Sequence, residues 1–76
     1  MTFSELKNEV IFASGEKPEH IRLGQFIFNY IDAVYCTARY VQFVDKVDCF
    51  YDNNQIDAFI RCNVDVINRM KREGKY

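Results

Sequence analysis

Three cysteines and one histidine are the residues of this chain best suited to metal or nucleophilic chemistry. Cys36, Cys49, Cys62 and His20 could supply the four ligands of a tetrahedral zinc ion. No two of them, however, show the spacing of about two to four residues that zinc knuckles and fingers use. A cysteine or serine nucleophile needs a base and an orienting group, and no recognisable arrangement of this kind surrounds His20. We therefore expect no catalytic residue, no metal and no cofactor.

The acidic residues and glycines give no stronger signal for a bound ion. Asp45, Asp48 and Asp52 lack the glycine and the terminal glutamate of a calcium-binding loop. Gly24 stands apart from any phosphate-binding pattern. These patterns predict a protein that acts by binding and is not an enzyme.

Size and composition indicate one folded domain. The chain has 76 residues, of which 49% are hydrophobic, including seven Phe and five Tyr. A chain of this length has surface for only one core. Its three cysteines, an odd number without a close pair, favour a reducing cytoplasm over a secreted disulfide framework. No apolar run approaches the roughly 18 residues of a membrane span, so we expect no membrane association.

The first predicted element is a helix over residues 3–14. Thr2 and Glu5 have the spacing of a capping box, and Gly15 is a natural residue for the end of the helix. Its apolar residues recur at helical spacing and form one inward stripe: Phe3, Leu6, Val10 and Ala13.

Two further helices are predicted, one on each side of the middle of the chain. One begins near Pro18 or after Arg22 and runs to about Tyr35, because proline suits the first turn of a helix. The other spans residues 54–71, after side chains that can cap its start. Its inward stripe is Ile56, Phe59, Ile60, Asn63, Ile67 and Met70.

Residues 39–52 are predicted to form a β-hairpin. The segments 40–44 and 47–51 are β-branched and aromatic, and they flank the turn pair Asp45 and Lys46. The expected order is therefore two helices, a hairpin and a C-terminal helix (ααββα). This order places the chain, as a single domain over residues 1–76, in the α+β class.

The two faces of this hairpin lead to the main functional expectation. Val41, Phe43 and Phe50 are predicted to face the core. The other face is the predicted partner-binding surface and consists of Tyr40, Gln42, Val44, Val47 and Tyr51. Because a two-stranded ribbon rests one face on its own chain, we expect a protein partner or a homodimer. In the alternative arrangement, the first and last helices cover both faces and leave no interface.

Nucleic acid is a second candidate partner. The net charge of −1 argues against it, but residues 69–76 carry four cations and one acid. Two helices followed by a hairpin also resemble part of a winged helix. The candidate phosphate contacts are Arg39, Arg69, Lys71 and Arg72. A third alternative is a small nucleotide signal bound in a pocket between subunits.

The middle of the chain resembles small uncharacterised proteins encoded by phages and prophages. The resemblance rests on Gly24-Gln25, residues 28–32, Ala38-Arg39, residues 41–43, residues 47–52 and Ile56-Asp57. In those proteins glycine commonly follows the second helix and the aspartate of the turn, where this chain has Cys36-Thr37 and Lys46. The resemblance implies a host cytoplasm during infection. It also implies a protein that inhibits a host protein, for example a CRISPR-Cas or other anti-phage defence component.

Overall fold

The computed structural model describes residues 1–75, and all regular secondary structure in that range is helical. The helices are α1 (Phe3–Ser14), α2 (Leu23–Tyr35), α3 (Ala38–Tyr40) and α4 (Ile56–Arg72). A π-helical turn, Val41–Asp45, continues α3, and a 3-10 turn, Asn53–Gln55, precedes α4. α1 packs on both α2 and α4, α3 packs on α2, and the π turn packs on α4.

α1 begins at the predicted capping box. The Glu5 backbone amide donates to Thr2 Oγ1 at 3.2 Å, and the Thr2 amide donates to Glu5 Oε1 at 2.9 Å. These hydrogen bonds with Thr2 lower the pKa of the Glu5 carboxyl below its ordinary value. The helix ends at Ser14, immediately before Gly15. The predicted bounds of this helix are confirmed.

α2 begins at Leu23, the later of the two predicted starts, and ends at Tyr35. Cys36 follows in the left-handed conformation, with φ 61°, and its backbone amide donates to the Ile31 carbonyl at 3.1 Å. A left-handed residue of this kind commonly ends a helix.

α4 occupies the predicted position of the last helix. The side chain of Asp52 accepts a hydrogen bond from the Asn54 amide at 2.9 Å, so the predicted capping function is present at the 3-10 turn. α4 itself starts at Ile56 and continues to Arg72.

The predicted β-hairpin is wrong, and with it the assignment to the α+β class, because residues 38–45 are helical. Ala38 and Val41 are fully buried three residues apart, whereas Phe43 is 85% exposed. This burial follows a helical period and not the alternation of a strand. Lys46, with φ 58°, then ends the helical turn. Residues 46–52 have no regular secondary structure.

The core lies where the helices meet, and three aromatic rings link its elements. Phe28 stacks on Phe59 with ring centroids 5.4 Å apart, and Phe50 meets Phe28 edge-on at 5.5 Å. The buried apolar residues are Leu6, Val10, Ile27, Phe28, Ile31, Ala38, Val41, Cys49, Ile56, Phe59, Ile60, Val64, Val66 and Ile67.

Two polar side chains, Thr37 and Asn63, are also fully buried. The Thr37 hydroxyl donates to Asn63 Oδ1 at 2.7 Å, and Asn63 Nδ2 donates to the Phe59 carbonyl at 2.8 Å. These bonds satisfy both side chains, which compensates for their removal from water. They also fix the start of α3 against α4.

Candidate functional site

The predicted partner-binding residues do not form a single face in the structure. Tyr40 and Val44 are exposed on one helical segment. Gln42 is half-buried and donates from Nε2 to Asp48 Oδ2 at 2.9 Å, while Val47 packs against the core. Tyr51 lies apart, in edge contact with the ring of Phe50 at 4.8 Å. These residues were grouped by the strand pairing of the predicted hairpin, and without that pairing they do not share a face.

The helical segment creates a different exposed apolar surface, which we call the Phe43 face. It consists of Tyr40 (43% exposed), Phe43 (85%) and Val44 (54%). On a helix, residues three and four positions apart lie side by side, so these side chains share one face. Phe43 was assigned to the core of the hairpin, and that assignment is wrong for the same reason as the hairpin itself.

Two left-handed residues flank the segment that carries the Phe43 face. Cys36 precedes it and Lys46 follows it, and they are the non-glycine residues with positive φ within residues 1–75. An L-residue in this conformation costs about 1–2 kcal/mol relative to the right-handed region. π-helical turns are rare in proteins, and those that occur are often found at functional sites. Here such a turn carries Phe43 and Val44.

The hydroxyl of Tyr40 contacts Arg69, one of the candidate phosphate contacts. Arg69 Nη2 donates to the Tyr40 hydroxyl at 3.0 Å, and the guanidinium carbon lies 5.6 Å from the ring centroid. Arg39 instead pairs with Asp32 at 3.4 Å and is largely exposed. Lys71 and Arg72 are exposed on α4.

A cleft opens beside this Tyr40 and Arg69 pair, and we call it the Arg69 cleft. Its volume is about 480 Å³. The residues that line it come from the junction of α2 and α3 and from the end of α4: Cys36, Thr37, Tyr40, Val66, Arg69, Met70, Glu73 and Lys75. Glu73 and Lys75 form an exposed ion pair at 3.2 Å. No local sequence pattern indicates this cleft, because its walls lie about 30 residues apart in the chain.

All three cysteines and the histidine lie in the described part of the chain. No group of three or more His, Cys, Asp or Glu there is arranged to hold a metal ion. Cys36 is exposed, Cys62 is half-buried and Cys49 is fully buried, and all three are free thiols. Burial raises the pKa of Cys49 to about 12 and also raises the pKa of Cys62. Cys49 is therefore a protonated packing residue at neutral pH.

One polar cluster was not predicted at all. Glu9 on α1 accepts hydrogen bonds from the hydroxyls of Tyr30 and Tyr35 on α2, at 2.7 Å and 2.6 Å. The bond to Glu9 raises the pKa of Tyr30, because it favours the protonated phenol. The sequence signal that could have predicted this cluster is the position of Glu9 three residues after Leu6, at the edge of the inward stripe of α1. The cluster joins α1 to α2.

Comparison with family models, curated proteins and solved structures yields no match to this chain. Within residues 1–75, none of the helices is both long and apolar enough to cross a membrane.

Proposed function

We propose that this chain is a non-enzymatic protein that binds a partner protein through the Phe43 face. The observation that carries the proposal is the grouping of Phe43, which is 85% exposed, with the exposed side chains of Tyr40 and Val44 at helical spacing on one packed segment. In the free protein the Phe43 ring is exposed to water and contributes no burial energy. Binding of a partner would remove most of the ring's apolar area from water, which favours association.

The surroundings of the face resemble the anatomy of an interface. Exposed charged side chains of Arg39, Asp45 and Lys46 surround the apolar residues along the chain. Interfaces commonly have an apolar, aromatic centre within a polar rim, and Tyr, Phe and Arg are enriched in them. The three apolar side chains at helical spacing suit a shallow apolar groove on the partner.

The resemblance to phage and prophage proteins supplies the proposed setting. There the partner is a host protein, such as a component of a CRISPR-Cas or other defence system, and binding inhibits it. The proposed compartment is the host cytoplasm, in agreement with three free thiols. A second copy of this chain is the other candidate occupant of the face.

The winged-helix form of the nucleic-acid alternative is not proposed further. Its wing was the hairpin, and residues 39–52 contain no strand. Of the four candidate contacts, Arg39 already has a carboxylate partner, Asp32, at 3.4 Å.

The test compares two phenylalanines of similar exposure on different helical segments. Phe12, near the end of α1, is 90% exposed, and Phe43 is 85% exposed. Phe43→Ser and Phe12→Ser thus remove the same side chain from water without opening the core. Tagged forms are used to capture partners from extracts of infected host cells, and circular dichroism verifies folding. Light scattering measures self-association in parallel.

We expect one or more proteins captured by the original chain to be lost with Phe43→Ser and retained with Phe12→Ser. A photo-crosslinking amino acid at position 43 should then join the chain to the same protein. Loss of a dimer with Phe43→Ser would identify a second copy as the occupant. If Phe43→Ser retains every partner and every oligomer, the proposed surface is wrong.

A further inference from the structure

We infer that the Arg69 cleft binds a phosphate monoester that carries a flat ring, the chemistry of a nucleoside monophosphate. This inference is independent of the proposed protein partner, although Tyr40 contributes to both surfaces. At about 480 Å³ the cleft lies within the size range of small-molecule sites, roughly 300–1,000 Å³.

The lining of the cleft carries one more cation than carboxylates. Arg69 and Lys75 contribute two cations to the lining, and Glu73 contributes one carboxylate. Lys71 and Arg72 lie between Arg69 and Lys75 in the sequence, and they offset the negative end of the α4 helix dipole. Because Lys75 pairs with Glu73 at 3.2 Å, Arg69 is the cation of the lining to which a phosphate monoester, with about two negative charges at neutral pH, would bind.

Arg69 is held in a conformation suited to a phosphate. Its contact with the Tyr40 ring and its bond to the Tyr40 hydroxyl restrain the guanidinium. That hydrogen bond uses one of the five N–H donors of the side chain, and residues 1–75 supply no acceptor for the others. The remaining donors can bind phosphate oxygens in a bidentate manner at little further entropic cost.

The rest of the lining suits a flat apolar group. Val66 is almost completely buried, and Met70 is half-buried beside it. The methionine side chain adapts readily to aromatic rings. The hydroxyl of Thr37 already donates to Asn63, so it does not present an unsatisfied donor to the cleft. A ring packed on the half-buried Met70 would leave its phosphate beside Arg69, whereas Val66 offers little surface to a ligand.

The experiment is a titration of the ¹⁵N-labelled chain with adenosine monophosphate, followed by amide chemical shifts. Adenosine and inorganic phosphate serve as probes that lack the anion and the ring, respectively. We expect saturable shifts at residues 36–40 and 66–75 with the monophosphate. Each of the two partial probes should bind at least about tenfold more weakly.

Three variants that alter exposed charges on or beside the end of α4 assign the site. Arg69→Gln should weaken binding by about tenfold or more, since a charged hydrogen bond is lost. Arg72→Gln makes the same charge change outside the lining and should alter affinity by less than about threefold. Glu73→Gln removes the opposing carboxylate and should tighten binding. The amide spectra verify that each variant is folded.

The inference is overturned if adenosine monophosphate gives no saturable shifts up to about 10 mM, the limit of weak affinity. It is also overturned if Arg72→Gln weakens binding as much as Arg69→Gln, which would indicate non-specific attraction. Equal affinity for inorganic phosphate would overturn the ring specificity. None of these outcomes depends on capture of a protein partner, so the two proposals fail separately.

Discussion

The backbone of Cys49 lies directly against Gly24, at the start of α2. A Cβ atom built on Gly24 would overlap the Cys49 carbonyl oxygen and would lie 2.9 Å from Asn53 Oδ1. The Cys49 thiol donates to the Gly24 carbonyl at 3.2 Å, and the Gly24 amide donates to Asn53 Oδ1 at 2.9 Å. The irregular segment 46–52 is therefore anchored to a helix and not to another strand.

Gly24→Ala is expected to lower the free energy of unfolding by about 1–3 kcal/mol, because the added methyl group must displace backbone. Without this contact the same change would favour the helix by about 1 kcal/mol. Gly15→Ala is the control, since Gly15 has φ −59° and its nearest neighbour is 3.4 Å away. Urea unfolding followed by circular dichroism measures both. A stable Gly24→Ala variant would contradict the observed approach of Cys49.

Lys46→Gly is expected to raise the free energy of unfolding by about 0.5–1 kcal/mol. Glycine adopts the φ of 58° at this position without the steric cost that lysine incurs. Lys46→Ala removes the same side chain but keeps a Cβ, so it should give no such gain. Thermal unfolding of the three proteins separates the two effects. If Lys46→Ala stabilises the protein as much as Lys46→Gly, the increase in the free energy of unfolding comes from loss of the lysine charge and not from the backbone conformation. Position 46 is also one at which the phage proteins that the chain resembles commonly have glycine.

Thr37→Val should destabilise the fold by about 1–3 kcal/mol, although the two side chains have nearly the same shape. Valine cannot donate to Asn63, which would leave a buried oxygen without its partner. Ser14→Ala removes a hydrogen bond of the same length, to the Ile11 carbonyl, on the surface. That control should change stability by less than about 0.5 kcal/mol. The prediction is wrong if urea titrations show that Thr37→Val and Ser14→Ala lower the free energy of unfolding by the same amount.

The three thiols should react with a thiol reagent in the order of their exposure. Cys36 is exposed and should react first, and Cys36→Ser should remove this fast phase. Cys49 should react only as the protein unfolds, and raising the pH to about 9 should not change this, because its pKa is about 12. Mass spectrometry of partly labelled protein assigns each site. Rapid labelling of Cys49 in the folded protein would show that segment 46–52 is not packed on α2.

The three long helices could be predicted from the sequence because their signals are local. A capping box at Thr2 and Glu5 and stripes of apolar residues act within a few residues of each other, and the structure confirms them. Even Asn63, a polar residue placed on the inward stripe of the last helix, is fully buried there.

The middle of the chain could not be predicted in the same way. Residues 40–51 are rich in β-branched and aromatic side chains, which favour strands only when a partner strand and a covered face are available. Of the predicted partner residues, Tyr40 and Val44 remain on an exposed surface together. Phe43 joins them only because the segment is helical. The Arg69 cleft required the ends of α2 and α4 to meet, which no local pattern encodes.

The sequence by itself determined three helices, the capping box of the first one, the inward stripes of the first and last, and an unusual supply of aromatic residues in the middle of the chain. Tertiary structure alone decided that residues 38–45 are helical, that Cys49 packs on Gly24 and that Arg69 meets Tyr40. The physical reason is the range of the interactions. Helix signals act over one or two turns, whereas the conformation of residues 40–51, helical to Asp45 and irregular after it, depends on long-range packing against α2 and α4.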